Sequence, residues 1–218
     1  MYGILGARIW YVLFNLDYYS NNLSEIYKIW NGGLAIHGGL IAGFIFTIYY
    51  CKKYHVRVWK MLDIIAPYVL LAQAIGRWGN FFNQEAYGSI TTLETLQGLK
   101  IIPKFVIDGM YINGAYYHPM FYYECLWCLF GMIVLLVIRS IKYTHIGQTT
   151  GLYFIWYSLG RYFIESMRMD SLMIGELKVA QIVSIIMFIG GLVLVLAQAR
   201  KPKLEELYND RTPERIVF

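Results

Sequence analysis

Arg77 stands near the end of an apolar run, in the string Gly76-Arg-Trp-Gly-Asn-Phe-Phe-Asn-Gln-Glu-Ala-Tyr-Gly88. Charge is expensive in hydrocarbon, so an arginine in such a place needs a partner or a ligand. On a helix Arg77 and Asn80 lie three apart on one face, and Gln84 continues the stripe. Arg161, Glu165 and Arg168 are four and three apart at the end of a second apolar run, and Glu124 lies just inside a third. A guanidinium is a planar fork that matches phosphate oxygens two at a time. Two arginines at one level therefore suit an anionic headgroup. The competing reading is structural, with Arg77–Glu85 and Arg161–Glu165 as ion pairs that lock helices together.

Histidine supplies the proton chemistry. His37 sits in Gly32-Gly-Leu-Ala-Ile-His-Gly-Gly-Leu40 at the start of a span, where glycines let a backbone or a substrate approach the imidazole. Imidazole titrates near neutrality and could take a proton from a thiol, although a lone intramembrane histidine also serves as a packed hydrogen-bonding residue. His118, before Pro119, could play the same part, whereas His55 and His145 fall in connecting loops. Cys125-x-x-Cys128 has no second ligand cluster beside it, so the pair, like Cys51, reads as small hydrophobes in packing. No metal or cofactor is expected, and no nucleic-acid partner.

The elements that must position these residues are membrane helices. The 218-residue chain is 58% hydrophobic with only 15% charged residues, well below the quarter usual in soluble domains. Five apolar stretches approach spanning length: Leu34–Tyr50, Leu62–Asn80, Met120–Ile138, Gly151–Glu165 and Val179–Ala199. A sixth, Gly3–Leu16, is short. The expectation is an all-α polytopic integral membrane protein of about six segments. Residues 1–199 would be one membrane domain, with an external cap over about 81–119 and a charged tail over 200–218. The N-terminus lacks the basic n-region and small-residue cleavage site of a secretory signal. Asp108-Gly109 and Asn113-Gly114 predict a small β-hairpin over Lys104–Tyr117.

Alternating the connections between two sides separates the basic residues. One side holds Lys52, Lys53, Arg57, Lys60, Arg139, Lys142, Arg200, Lys201, Lys203, Arg211 and Arg215; the other side's loops hold Lys28, Lys100, Lys104 and Arg168. The positive-inside rule makes the first side cytoplasmic, with both termini there, and brings the arginine-bearing helix ends to the external leaflet of a cell membrane.

The string Gly76-Arg77-x-Gly79-Asn80-Phe81-x-Asn83-x-Glu85-x-x-Gly88 resembles the signature of the bacterial prolipoprotein diacylglyceryl transferases. His37-Gly-Gly, His118-Pro119 through Tyr123-Glu124, and Gly160-Arg161 with Glu165 and Arg168 are similar to the same family. Gly6-Ala7-Arg8 resembles the start of the family's second membrane helix. The resemblance covers about Gly3 to Ala199. It implies transfer of diacylglyceryl from phosphatidylglycerol to the lipobox cysteine thiol of lipoprotein precursors, giving a thioether and glycerol phosphate.

The nucleophile then belongs to the substrate, so none of the three cysteines is needed. Arg77 and Arg161 would stabilise the leaving phosphate, Asn80 and Glu85 would orient them, and His37 would assist thiol deprotonation, with His118 as the alternative. Asn83, Gly88, Glu124, Glu165 and Arg168 complete the implied binding set. The resemblance also implies a further membrane helix, carrying a tyrosine, ahead of the Gly-Ala-Arg segment. Gly3–Leu16 would rise only about 21 Å against a core of roughly 30 Å, so this chain is expected to transfer poorly by itself. Two other classes compete: a catalytically silent relative that binds the same lipid or precursors, and a transporter of an anionic solute. The latter usually shows internal repeats or matched broken helices, which the sequence lacks.

Overall fold

A computed structural model of the chain describes residues 1–141, 144–168, 173–174 and 177–200. The expected tail beyond Arg200 and Lys142 of the basic set lie outside the described residues. The chain divides into two compact units, one formed by Met1–Met61 and the other from Leu62 onward.

In the first unit, α1 (Tyr2–Leu13) packs on α3 (Ile36–Lys53), with the short α2 (Leu16–Tyr19) and two 3-10 turns, Leu23–Glu25 and Ile29–Asn31, between them. Glycine makes the contact possible: a Cβ on Gly6 would strike Ala42 and the Gly38 carbonyl, and one on Gly38 would strike Gly6 and Trp10. α1 stops at Leu13, so the short first segment is shorter than its apolar run suggested. Arg8 points from α1 into the connecting loop. Its Nε donates to the Ile26 carbonyl at 2.8 Å, Nη1 to Gly32 and Gly33 at 2.8 and 2.9 Å, and Nη2 to Glu25 and Lys28 at 2.6 and 3.5 Å. The Glu25 carboxylate is held below its ordinary range, chiefly by its hydrogen bond from Lys28.

The second unit is built on α4 (Val58–Phe82), α7 (Met120–Ser140), α8 (Gln148–Met167) and α9 (Val179–Ala199). Among the described residues three helices, α4, α7 and α9, are long and apolar enough to cross a membrane. α8 has 20 residues but carries Gln148, Thr149, Thr150, Ser158, Arg161 and Glu165 along its length. Large side chains such as Ile133, Val137, Ile186 and Val193 stand exposed, as helices facing lipid require.

Three devices hold α4, α7, α8 and α9 together. Asp63, fully buried on α4, caps the start of α8 by accepting from the Gly147 and Thr150 amides and the Thr150 hydroxyl. Trp127 on α7 and Trp156 on α8 stack at 4.5 Å, and each indole N–H donates to the other's backbone carbonyl, at 3.0 and 3.1 Å. Each ring lies over a glycine of the opposite helix, Gly160 under Trp127 and Gly131 under Trp156, where a Cβ would collide with the indole. α8 and α9 meet at Gly151 and Gly191, each of whose Cβ would press on the other's carbonyl.

Between α4 and α7 lies a compact cap. Its sheet has the order β1-β3-β2, formed by Ile90–Thr91, Ala115–Tyr117 and Tyr111–Ile112, all antiparallel. With two short helices, α5 (Leu93–Gly98) and α6 (Lys104–Gly109), and the turns around them, the cap packs Leu96, Ile102, Val106, Ile107, Met110 and Ile112 of β2 against Phe121 of α7. The hairpin is therefore shorter than the sequence predicted. Asn113-Gly114 does form its turn, with φ of +50° and +86°. Asp108-Gly109 instead ends α6, which starts after Pro103 and buries Val106 and Ile107 together, a helical rather than alternating pattern. A second two-stranded ribbon, β4 (Met173–Ile174) with β5 (Leu177–Lys178), precedes α9.

Candidate functional site

The charged residues of α4, α7 and α8 meet at one end of the second unit. Arg77, on the last turns of α4, places Nη2 2.5 Å from Glu124 Oε1 on the second turn of α7. The other oxygen of Glu124 is 3.6 Å from Arg161 Nη1. Arg161 Nη2 reaches Glu165 Oε2 at 2.7 Å one turn on, and Arg168 Nη1 lies 3.6 Å from that same oxygen. The carboxylates are the buried partners: the Glu124 and Glu165 side chains are 5% and 4% exposed, against 22% and 17% for Arg77 and Arg161. These contacts are ionic more than directional. Among the described residues, Glu124 Oε1, Glu165 Oε2 and Arg161 Nη1 have no well-aligned hydrogen bond.

The chain of contacts continues through the loop after α4. Asn80 Oδ1 is 3.5 Å from Arg77 Nη1, and its amide donates to Glu85 Oε1 at 3.1 Å, as does Asn83 at 3.2 Å. The ion pair of Arg77 is therefore with Glu124 and not, as the structural reading of the sequence had it, with Glu85; Asn80 links Arg77 to Glu85. The stripe also ends early. α4 stops at Phe82, and Gln84 and Ala86 take left-handed backbone with φ of +51° and +57°, so Gln84 does not share the helical face of Arg77. The loop's reversal is what brings Glu85 back onto Asn80.

Gly88 bridges to Arg168 through the backbone, and its amide donates to the His118 carbonyl at 3.0 Å. A Cβ here would meet Met120 Cε at 2.7 Å and His118 Cβ at 3.0 Å. His118 Nδ1 lies 3.2 Å from the Tyr123 hydroxyl, half-buried beside the start of α7. Arg77, Asn80, Asn83, Glu85, Gly88, His118, Glu124, Arg161, Glu165 and Arg168 thus belong to one connected region. His37 belongs to the first unit, exposed on the first turn of α3 with Gly38 and Gly39 following it.

Several residues at or below the site were not singled out from the sequence. Lys178 donates to the carbonyls of Glu165, Ser166 and Arg168 at 2.7, 3.3 and 2.9 Å, closing the end of α8. Its place one residue before an apolar run was the available signal. Tyr157, one turn below Arg161, stacks on Tyr153, whose hydroxyl accepts from Gln73 at 3.2 Å. The 4-residue spacing of Tyr153, Tyr157 and Arg161 was readable as one face. Cys125 and Cys128 lie in the apolar core with Leu70, Ala74 and Leu135, and all three cysteines are buried and free.

Charges of both signs gathered at one end of an apolar helix bundle make this a helical membrane protein with a polar site in its own frame. Its family follows from comparison with known proteins. The model of the family described as prolipoprotein diacylglyceryl transferase matches residues 1–197, and the chain belongs to that family. Among its curated relatives is a phosphatidylglycerol–prolipoprotein diacylglyceryl transferase of Ligilactobacillus salivarius, 48% identical over 95% of this chain and 77% of that protein. Those of Listeria innocua and Staphylococcus haemolyticus are 49% and 47% identical. They cover 88% and 98% of this chain and 69% and 74% of their own lengths.

Proposed function

We propose that this chain transfers the diacylglyceryl group of phosphatidylglycerol to the cysteine thiol of a lipoprotein precursor's lipobox. The observation that carries the reading is the convergence of Arg77 and Arg161, from two helices, on the buried Glu124. In the reaction the thiol loses its proton, a sulfur–carbon bond forms at the glyceryl carbon, and the carbon–oxygen bond to phosphate breaks. Glycerol phosphate leaves with the electron pair. Charge thus builds on phosphate oxygen, where guanidinium donors in a low-dielectric site stabilise it most. The 3.6 Å contacts, Arg161–Glu124 and Arg168–Glu165, are the ones a phosphate oxygen exchanges for most readily. The tight pairs at 2.5 and 2.7 Å keep the forks in place. Asn80, Asn83 and Glu85 steady Arg77, and His37 is the base for the thiol, with His118 the second choice. Gly88 gives the backbone room beside the headgroup.

The same proposal counts α1, α3 and α8 with α4, α7 and α9 as six membrane segments, with the short α1 thinning the bilayer or borrowing a neighbour. Residues 1–199 form the transferase domain and 200–218 a tail. Both termini and the Cys51–Lys60 connection lie in the cytoplasm, and the cap and charged site lie at the external leaflet. The test is thioether formation on a lipobox peptide by purified protein in phosphatidylglycerol vesicles. Release of glycerol phosphate in step with modified peptide is the expected result. Lipid or peptide binding without thioether would make the chain a silent relative. Impermeant thiol labelling of a cysteine placed at Lys52 from outside intact cells would overturn the orientation.

A further inference from the structure

One edge of the cap is apolar, basic and tied to the span ends. Ile101 and Phe105 are 62% and 57% exposed, although the cap has a core that buries their neighbours Ile102 and Val106. The Phe105 ring stacks on Trp78 of α4 with centroids 6.1 Å apart and planes 15° from parallel. The Ile101 carbonyl accepts from the Tyr122 hydroxyl, on the first turn of α7, at 2.8 Å. Both residues are thereby held at the level where two candidate spans end. Phe82, the last residue of α4, is also exposed, at 77%.

Charge follows the same edge. Between Ser89 and Tyr117 the sequence has two basic residues, Lys100 and Lys104, and each immediately precedes one of the exposed apolar residues. Both are exposed. The acids of this segment are Glu94 on α5 and Asp108, one turn past Lys104 on α6. The exposed Asn113-Gly114 turn of the hairpin is polar. Aromatic rings at span ends mark the headgroup level of a bilayer, and lysines there extend their stems over apolar surface while their ammonium groups reach phosphates.

We propose that this edge is a lipid-docking surface: Ile101 and Phe105 enter the headgroup–acyl boundary of the leaflet at the Arg77 end, and Lys100 and Lys104 contact anionic headgroups. The cap then lies on the bilayer beside the charged site instead of standing free in water. The inference rests on α4 and α7 being membrane spans and is independent of the transfer chemistry.

Spin labels on single introduced cysteines test it, because Cys51, Cys125 and Cys128 are 1%, 5% and 0% exposed and leave the background silent. Full-length protein carrying Phe105→Cys, Ile101→Cys or Asn113→Cys is placed in phosphatidylglycerol vesicles. Collisions with oxygen, which favours lipid, are compared with those of a water-soluble nickel chelate. Oxygen is expected to win at 105 and 101, and nickel at 113. Ile101→Cys removes no ring stack and stands in should Phe105→Cys fail to fold. In a Lys100→Gln/Lys104→Gln background the 101 label is expected to move toward water in phosphatidylglycerol, with little change in phosphatidylcholine. Nickel access at 101 and 105 equal to that at 113 overturns the proposal. Protection appearing only on addition of a precursor peptide overturns it too, and assigns the edge to the peptide.

Discussion

Arg8 and Arg161 are both guanidinium groups withdrawn from water, in different units of the molecule, and they keep opposite company. Arg8 hydrogen-bonds to neutral backbone carbonyls, of Glu25, Ile26, Lys28, Gly32 and Gly33, which together engage all three of its nitrogens, and it lies over the Tyr19 ring at 5.3 Å. Its donors are consumed, and its role is to hold a loop by carbonyls that the loop's own turns satisfy only in part, at Glu25 and Lys28. Arg161 faces two carboxylates, tight to Glu165 and loose to Glu124, with Nη1 making no aligned hydrogen bond. A carbonyl-saturated guanidinium is a bolt; one balanced between carboxylates retains the capacity to take another anion. Burial alone does not distinguish them, and the hydrogen-bond inventory does.

The largest effect that tests this contrast is on rate. Arg161→Ala and Arg77→Ala are each expected to lower diacylglyceryl transfer by roughly a hundredfold to a thousandfold, the cost of a lost charge-stabilising donor. Circular dichroism should show the helices retained. Lysine at either position should restore little, because an ammonium has no planar fork. Near-normal turnover by folded Arg77→Ala would remove it from the chemistry. His37, exposed in the unit that Arg8 merely holds together, comes next. As the base for the thiol, its loss in His37→Gln should lower kcat about a hundredfold with lipid binding intact. Equal losses in binding and turnover would point to packing.

Arg8→Ala should act on stability instead. Stripping several carbonyls of a charged donor is expected to cost about 3 kcal/mol or more. Limited proteolysis should then cut within Asn22–Gly33, and activity should fall only with the folded fraction. A fully stable but inactive Arg8→Ala would erase the distinction between the two arginines. The smallest effect is at the joint that supports Arg161. Gly160→Ala drives a methyl into the Trp127 ring and should cost about 1–3 kcal/mol. A lowered melting temperature with a larger loss in kcat than in lipid affinity would show the joint setting the site. An unchanged kcat would confine Gly160 to packing.

The helices of the second unit were legible because long apolar runs have few alternatives, and α4, α7 and α9 lie within a few residues of their expected limits. The gathering of arginines at one end was legible too, from the cost of placing charge in hydrocarbon. The Arg161–Glu165 pair, four apart on one helix, was legible as well; the partner of Arg77 was not. Glu124 and Arg77 are brought together by packing of α7 on α4, whereas Glu85, nearer in sequence, is turned toward Asn80 by left-handed residues no periodicity signals. The hairpin was over-extended for a similar reason. Asp-Gly serves a turn or a helix end equally well, and burial of Val106 with Ile107 decided for the helix. Arg8 stood out only by its motif, since carbonyl acceptors distant along the chain leave no mark in side-chain patterns.

The paired tryptophans of α7 and α8 have a consequence for the charged site. Trp127 lies one turn from Glu124, and Gly160 adjoins Arg161, so the indole joint fixes how far α8 can slide along α7. Glu124 and Arg161 stand 3.6 Å apart beside this joint. On the proposed function, a phosphate meeting the arginines here would find charges already aimed, and little energy would go into rearranging them as negative charge develops on the leaving oxygen. The stiffness of two aromatic rings is in this sense part of the site's electrostatics.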